Sequence, residues 1–501
     1  MQSDEKYEMF VNPVPIFKKC GKIGLVNCGL MHSFGKKAAF SRLKNTKKSR
    51  CLSMIKRAFS LILVLVLICA LAITATGCKT ADVNTDDDKN MGDLVPGGVA
   101  NVSAEVLEAL SSSGDVTVYT NSDSETDYAK DFSEYFSQVY GGNLTRKYVE
   151  WEGWEKVFVT DFAAEEAPDV ITLFYKLWPK VANRGMVYSI DELKELGVVG
   201  IDHPTFEEDV ELCEKNYSYK KQNYSLALGF KSAVYCCVNT DLFKQYSVKS
   251  PVEYYNEGTW NYENFVKCCK ELSRDSDLDD VIDVFGYTGW DLSWFVVANG
   301  GQLIRMDDKG NIYDCLDTLN VNNALKNVNQ LSIDKCITRE GDFAGGKVGM
   351  HGALKTNLSK PIGRDEITFN WDIVPFPYGP DNSAGGVMPG DINGIGIVTS
   401  TKNPQGALNY VIASRVFSEM TKGMYEDDEH MDVFNEQQLQ LMGDYDNQTS
   451  NAFFMGVGSL WHAQWDFWYA LERSKGNVSE VLTSFKPMFE QQCELEMDSA
   501  N

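Results

Sequence analysis

Residues 226–304 constrain the fold more than any other part of this chain. They open with LALGFKSAVYCCVNTDLF, a mostly apolar run that reads as a strand. It ends in Asn239, Thr240 and Asp241, residue types that start a helix by accepting its free amide protons. A polar connection leads to GTWNYENFVKCCKEL, whose apolar residues recur at helical spacing. The last piece, VFGYTGWDLSWFVVANGGQLI, predicts a strand and then an aromatic-rich helix stopped at Gly300 and Gly301.

The same alternation begins upstream. DVTVYT at 115–120 is a β-type run, and Tyr128, Phe132, Tyr135, Phe136 and Val139 follow at helical spacing. Gly141 and Gly142 end that helix, and a second strand is predicted from 144. A β–α–β start is the doubly wound pattern, in which ligands sit at the carboxyl ends of strands.

At 501 residues, the chain has room for two or three domain-sized units. Residues 1–77 carry 13 Lys and Arg against 3 Asp and Glu, whereas residues 78–501 carry 34 against 68. An acidic body argues against nucleic acid, where binding rests on neutralising phosphates. It argues equally against lying flat on anionic lipid, and it suits a neutral or cationic ligand.

Met54, Lys56 and Arg57 open a basic segment, and residues 59–75 are apolar apart from Ser60 and Thr74. Gly77 and Cys78 follow, so residues 54–77 read as a secretory signal of the lipoprotein type, with a diacylglyceryl group on Cys78. An uncleaved membrane helix is the alternative. Residues 1–53 are basic and unpatterned, and read either as residues ahead of a start at Met54 or as a cytoplasmic extension. Residues 78–114 form a polar spacer with an Asp run and a Pro96-Gly97-Gly98 break.

Eight cysteines follow Cys78, in no zinc or redox spacing, and buried free thiols are the expectation for them. The histidines at 32, 203, 351, 430 and 462 show no metal-ligand spacing. The acidic run at 274–283 fails as a calcium loop: counted from Asp275, positions 6 and 12 hold Asp280 and Gly286. No metal and no cofactor are expected.

Tyr235, Asn239, Leu242 and Phe243, with Asn299, Gly300 and Gly301, stand in an order that resembles the centre of bacterial extracellular solute-binding proteins of the oligosaccharide-binding type. Further agreements extend the likeness from about residue 115 to the end. They include Pro168-Asp169-Val170, the FAGGKVGM run at 343–350, Trp371–Pro377 and the Gly-rich segment 388–397. The resemblance implies an α/β, two-lobe periplasmic-binding-protein-like fold of type II, two doubly wound lobes joined by hinge strands. Lobe 1 would be 115–232 and 393–440, and lobe 2 would be 233–392 and 441–501. Ligand contact would then fall to Asp123 and Glu125 in the loop after the first strand, and to Phe174 and Tyr175 after the third. The second hinge crossing offers Asp391 and Asn393.

Two aromatic pairs are candidates on geometry. Trp290 and Trp294, flanking Asp291, are four apart and share a face if both are helical. Trp461 and Trp465 have the same spacing. Indole faces stack on the C–H side of a sugar ring while polar groups take its hydroxyls.

The sequence has no G-x-S-x-G elbow and no phosphate-binding loop. The expectation is therefore a binder and not an enzyme. It would be a monomeric, lipid-anchored extracellular protein that delivers a mono- or oligosaccharide to an ABC-transporter permease. A lipid-anchored glycan hydrolase, and a module presenting ligand to a sensor, remain as alternatives.

Overall fold

The alternating apolar residues of 115–120 serve two cores at once. Val116 and Val118 pack on one side of the sheet and Tyr119 on the other, as a strand covered by helices on both faces requires. A computed structural model describes residues 109, 113–120, 126–289, 291–339, 341–355, 357–359, 366–382, 385, 387–421, 433–451 and 460–498, all within the unit Val64–Asn501. The cysteine at 78, the apolar run 59–75, and Asp123, Glu125 and Trp290 lie outside the described residues.

In chain order the strands are β1 (Val116–Thr120), β2 (Leu144–Tyr148), β3 (Val170–Leu173), β4 (Ser218–Tyr219), β5 (Gln222–Asn223), β6 (Leu228–Asn239) and β7 (Phe285–Thr288). They continue as β8 (Ile304–Met306), β9 (Ile312–Asp314), β10 (Ile337–Thr338), β11 (Val348–Leu354), β12 (Trp371–Pro375), β13 (Met388–Ile397) and β14 (Thr449–Asn451). The main sheet runs β10-β7-β11-β6-β13-β3-β1-β2, with β12 also on β6 and β14 on β13.

In the first lobe, β1 pairs parallel with β2 and β3, and β3 pairs antiparallel with β13. In the second, β7 lies parallel to β10 and β11, and β11 and β12 flank β6 antiparallel. Helices cover both faces. Helix Asp127–Tyr140 is capped by Thr126, whose hydroxyl accepts from the Ala129 amide, and is stopped by Gly141 at φ 71°. It packs with helix Pro404–Met420 over Val116, Val118 and Val170.

Two strands pass from lobe to lobe. The first half of β6 pairs with β13, through Phe230–Asn393, Ser232–Asp391 and Ala233–Gly390. The second half pairs with β11 and β12, through Tyr235–Ala353 and Val238–Asp372 among others. Residues 233–238 are completely buried, which explains the uninterrupted apolar run there. Strand β13 runs from β14, at Met388–Gly390, to β3, at Gly394–Ile397.

Asp446 fastens β6 to helix Glu436–Asp446. Its Oδ1 accepts from the Ala233 amide at 2.8 Å and lies 2.7 Å from the Tyr235 hydroxyl, and its Oδ2 pairs with Lys355 at 3.3 Å. Phe434 and Met442 pack in the same core as β6 and β12. The eight described cysteines are all buried free thiols.

Candidate functional site

Strands β1, β2 and β3 are parallel, so the segments after them share one edge of the first lobe. Trp151 follows β2 in a short 3-10 turn, and Phe174 follows β3. Their rings stack at 4.4 Å between centroids. Trp154 meets both edge-on, and Tyr175 meets Phe174 edge-on at 5.8 Å. The Lys176 ammonium stands 5.7 Å from the Trp151 ring centre. Phe174 is buried and Tyr175 nearly so, whereas Trp151 is half-buried. This aromatic group therefore presents Trp151 outward and uses Phe174 as its backing.

In the second lobe, the turn after β7 leads to Asp291, which caps helix Leu292–Ala298. Asp291 Oδ1 accepts from the Ser293 amide at 2.8 Å and from the Ser293 hydroxyl at 2.5 Å. Its Oδ2 is buried and has no hydrogen-bond partner among the described residues. Burial pushes this carboxyl up to about 6, against the two Ser293 bonds. The helix begins after Asp291 and places Trp294 in its first turn, while Trp290 lies outside the described residues. Trp294 is 1% exposed and packs in the second-lobe core.

Helix Leu292–Ala298 packs against β13. On that strand Asp391 and Asn393 share a face, and a β-bulge follows between Asn393 and Gly394. The Oδ1 atoms of both are buried without partners among the described residues. Burial pushes the Asp391 carboxyl up to about 7, and the charge of Asp291 adds to the push. Asp391 as a residue is half-buried, but its Oδ1 is shielded, and a like charge nearby adds to the cost of ionising it.

Two further buried groups line the end of the same sheet. The Tyr287 hydroxyl, on β7, has no partner among the described residues. His351, on β11 opposite Thr288, stacks on Phe343 at 5.4 Å and leaves Nδ1 unpartnered among the described residues. Burial holds its imidazole down at about 4, although a bond to the Thr288 backbone opposes this, so the ring is neutral at pH 7.

The structure thus sets Asp291 at the cap of a helix that packs against β13, the strand that carries Asp391 and Asn393, and groups Phe174 and Tyr175 at the other lobe's strand ends. Trp461 and Trp465 fall in helix Leu460–Arg473, and their side chains lie outside the described residues. Trp260 donates its indole N–H to the Pro375 carbonyl at 2.9 Å. Sequence reasoning passed over Trp151, Tyr287 and His351 as site residues. The signal for Trp151 was its position just after a parallel strand. Among the described residues, Asp275, Asp277 and Asp279 could approach one cation, but they form an exposed acidic loop. A surface groove of about 430 Å³, lined by Val281, Ile337, Arg339 and Tyr469 among others, includes none of the sequence-predicted site residues.

A model of the bacterial extracellular solute-binding protein family matches residues 122–412. The chain belongs to that family. A comparison with curated protein sequences finds no match. Among solved structures, it is similar to an ABC substrate-binding protein of Listeria monocytogenes in complex with cycloalternan. The identity is 13%, 77% of this chain and 98% of that chain are covered, and the TM-score is 0.51. It is similar also to UspC of M. tuberculosis, at 14% identity, 77% and 100% coverage and a TM-score of 0.57. The cyclic alpha-maltosyl-1,6-maltose binding protein of Arthrobacter globiformis gives 12% identity, 77% and 99% coverage and a TM-score of 0.57. At such identities the likeness is one of fold: two doubly wound lobes joined by hinge strands, as in solute-binding proteins of this family.

Proposed function

We propose that this chain is the substrate-binding component of an ABC importer, anchored outside the cell by lipid on Cys78. It would hold a mono- or oligosaccharide between its lobes and deliver it to a membrane permease. One observation carries this reading: Asp391 and Asn393 on the crossing strand β13, and Asp291 at the cap of a helix that packs against that strand, each hold a buried hydrogen-bond acceptor with no partner among the described residues. Buried polar groups are ordinarily satisfied, so such a set calls for a ligand that supplies donors. The carbohydrate-binding relatives and the half-buried Trp151 favour a sugar. The ring would lie on Trp151 with Tyr175, and on Trp290, while Asp123 and Glu125 would add hydroxyl contacts. Trp461 and Trp465 would extend the wall for a longer glycan.

Ligand would favour the closed arrangement because only closure brings both walls to it. Lobe 1 would comprise 115–232 and 393 to about 432. Lobe 2 would comprise 233–392 and the remainder to 501, with the last boundary drawn before Phe434 because that side chain packs with β12. The protein would work as a monomer.

The test is a thermal-shift screen of the protein against mono- and oligosaccharides, with amino acids and peptides as controls. Saturation at about 100 times the dissociation constant adds about 2.7 kcal/mol, enough to raise the midpoint visibly. A shift with one sugar class, without consumption of that sugar, supports the reading. Release of reducing ends, lost in Asp391→Asn, would favour a hydrolase, for which a carboxyl pair is the needed equipment. For the anchor, Cys78→Ser should abolish palmitate labelling, and unchanged labelling would contradict it.

A further inference from the structure

Acceptors predominate among the atoms near the crossing that lack partners among the described residues. Asp291 Oδ2, Asp391 Oδ1 and Asn393 Oδ1 are acceptors, and the Tyr287 hydroxyl brings a single donor hydrogen. Asp291 is 2% exposed, so its free oxygen has no compensating water at the surface. Ordinary hydroxyls could donate to these oxygens, but they would leave two neighbouring carboxyls with no countercharge. An ammonium group answers both needs, because it brings three donors and a positive charge.

The chain's own cations nearby are engaged elsewhere. From β6, Lys231 donates to Asn447 at 2.7 Å, and at the end of β11 Lys355 pairs with Asp446. The Tyr217 hydroxyl, packed against β13, donates to the Ile392 carbonyl at 2.6 Å. Among the described residues, two further titratable groups bear on the pair: Tyr287 on β7, which is buried and held neutral, and His351 on β11, which is neutral at pH 7. Helix Leu292–Ala298 brings no charged side chain of its own beyond its cap.

We propose that the solute carries a protonated amine, seated between the Asp291 and Asp391 carboxylates where β13 passes under the cap of helix Leu292–Ala298. The inference rests on the carbohydrate reading above and narrows it: the ligand is an amino sugar, or a glycan that bears one, with its amine free and not acylated. Binding draws the last proton off the carboxyl pair, because the ammonium stabilises the doubly ionised form. Amine affinity therefore rises as pH climbs through the range in which the pair ionises, while a neutral sugar gains nothing from that change.

The test is calorimetric titration of the full chain in detergent with glucosamine oligosaccharides and with the same oligosaccharides N-acetylated, at about pH 5 and about pH 7. The amine form should bind at least about tenfold tighter than the acetylated form at the higher pH, with a smaller advantage at the lower. Asp391→Asn should erase the advantage. Asp291→Asn, which keeps a capping side chain, should reduce it. Should either variant fail to fold, the wild-type pH dependence and the proton released on binding decide the matter alone. Equal affinity for both forms, or amine binding independent of pH, overturns the proposal and leaves the carbohydrate reading intact. Spermidine bound in a pH-dependent way, with no glycan bound, keeps the amine and overturns the carbohydrate.

Discussion

On the first lobe, Trp151, Phe174, Trp154 and Tyr175 lean on one another, the Tyr119 hydroxyl reaches Asp161 at 2.5 Å, and Lys147 pairs with the same carboxylate; the buried atom left without a partner there among the described residues is a donor, the Trp154 indole N–H. At the crossing, by contrast, Asp291, Asp391 and Asn393 each keep a buried acceptor oxygen without a partner among the described residues. A preformed apolar surface can offer affinity to many rings at little cost in selectivity. A set of unanswered acceptors is costly until the right donors arrive, and so discriminates. On the proposed reading the two walls would divide the work: one would hold a ring, the other would decide which ring.

The contrast can be broken most forcefully at Trp294. If this indole belongs to the core and not to the cleft, Trp294→Ala should lose about 3–5 kcal/mol of stability, read from urea unfolding. Trp290→Ala should leave stability nearly unchanged and weaken ligand binding instead. The reverse pattern would return Trp294 to the ligand wall.

A smaller effect comes from the carboxyls. Asp291 and Asp391 are held up to about 6 and about 7, above the range of an unfolded chain. The folded state therefore binds more protons between about pH 4 and about pH 7, and the stability of the ligand-free protein falls as pH rises through that window. Above it the loss is complete and the curve levels. The fall should be on the order of 2–4 kcal/mol for each carboxyl and should shrink in Asp391→Asn, as followed by denaturant midpoints across pH. A flat profile would mean that these oxygens are answered.

On the aromatic side, Trp151→Ala should cost about 1–3 kcal/mol of binding and little stability, measured by titration beside an unfolding curve. The smallest expected change is at the hinge. Tyr235→Phe removes the hydroxyl shared by Asp446 and the Met442 carbonyl, and should cost about 1–2 kcal/mol of stability without changing which ligand binds.

The crossing strands were legible in the sequence for a physical reason. A strand covered on both faces must be apolar at every position, and Val234–Val238 is such a run, set between polar residues. The helix after it was legible from its cap, Asn239, whose Oδ1 accepts from the Leu242 amide at 2.9 Å. Asp391 and Asn393 could be singled out because they interrupt an apolar, Gly-rich strand. The partnership of Asp391 with Asp291 was not legible. It depends on how one short helix lies across β13, and no local pattern records that. Trp151 escaped for a similar reason, since its neighbour Phe174 arrives from the end of a different strand. The burial of Trp294 in the second-lobe core was not legible either, because four-residue spacing from Trp290 records a helical period and not which side of the helix meets the core.

The most direct test of the division between the walls is to titrate one carbohydrate, the one that most raises the unfolding midpoint, into wild-type protein, Trp151→Ala and Asp391→Asn. The account predicts weaker binding in both variants, and losses that are less than additive in the double variant if ligand-driven closure couples the walls. A full loss in one variant with wild-type affinity in the other would place the ligand on a single lobe and contradict it.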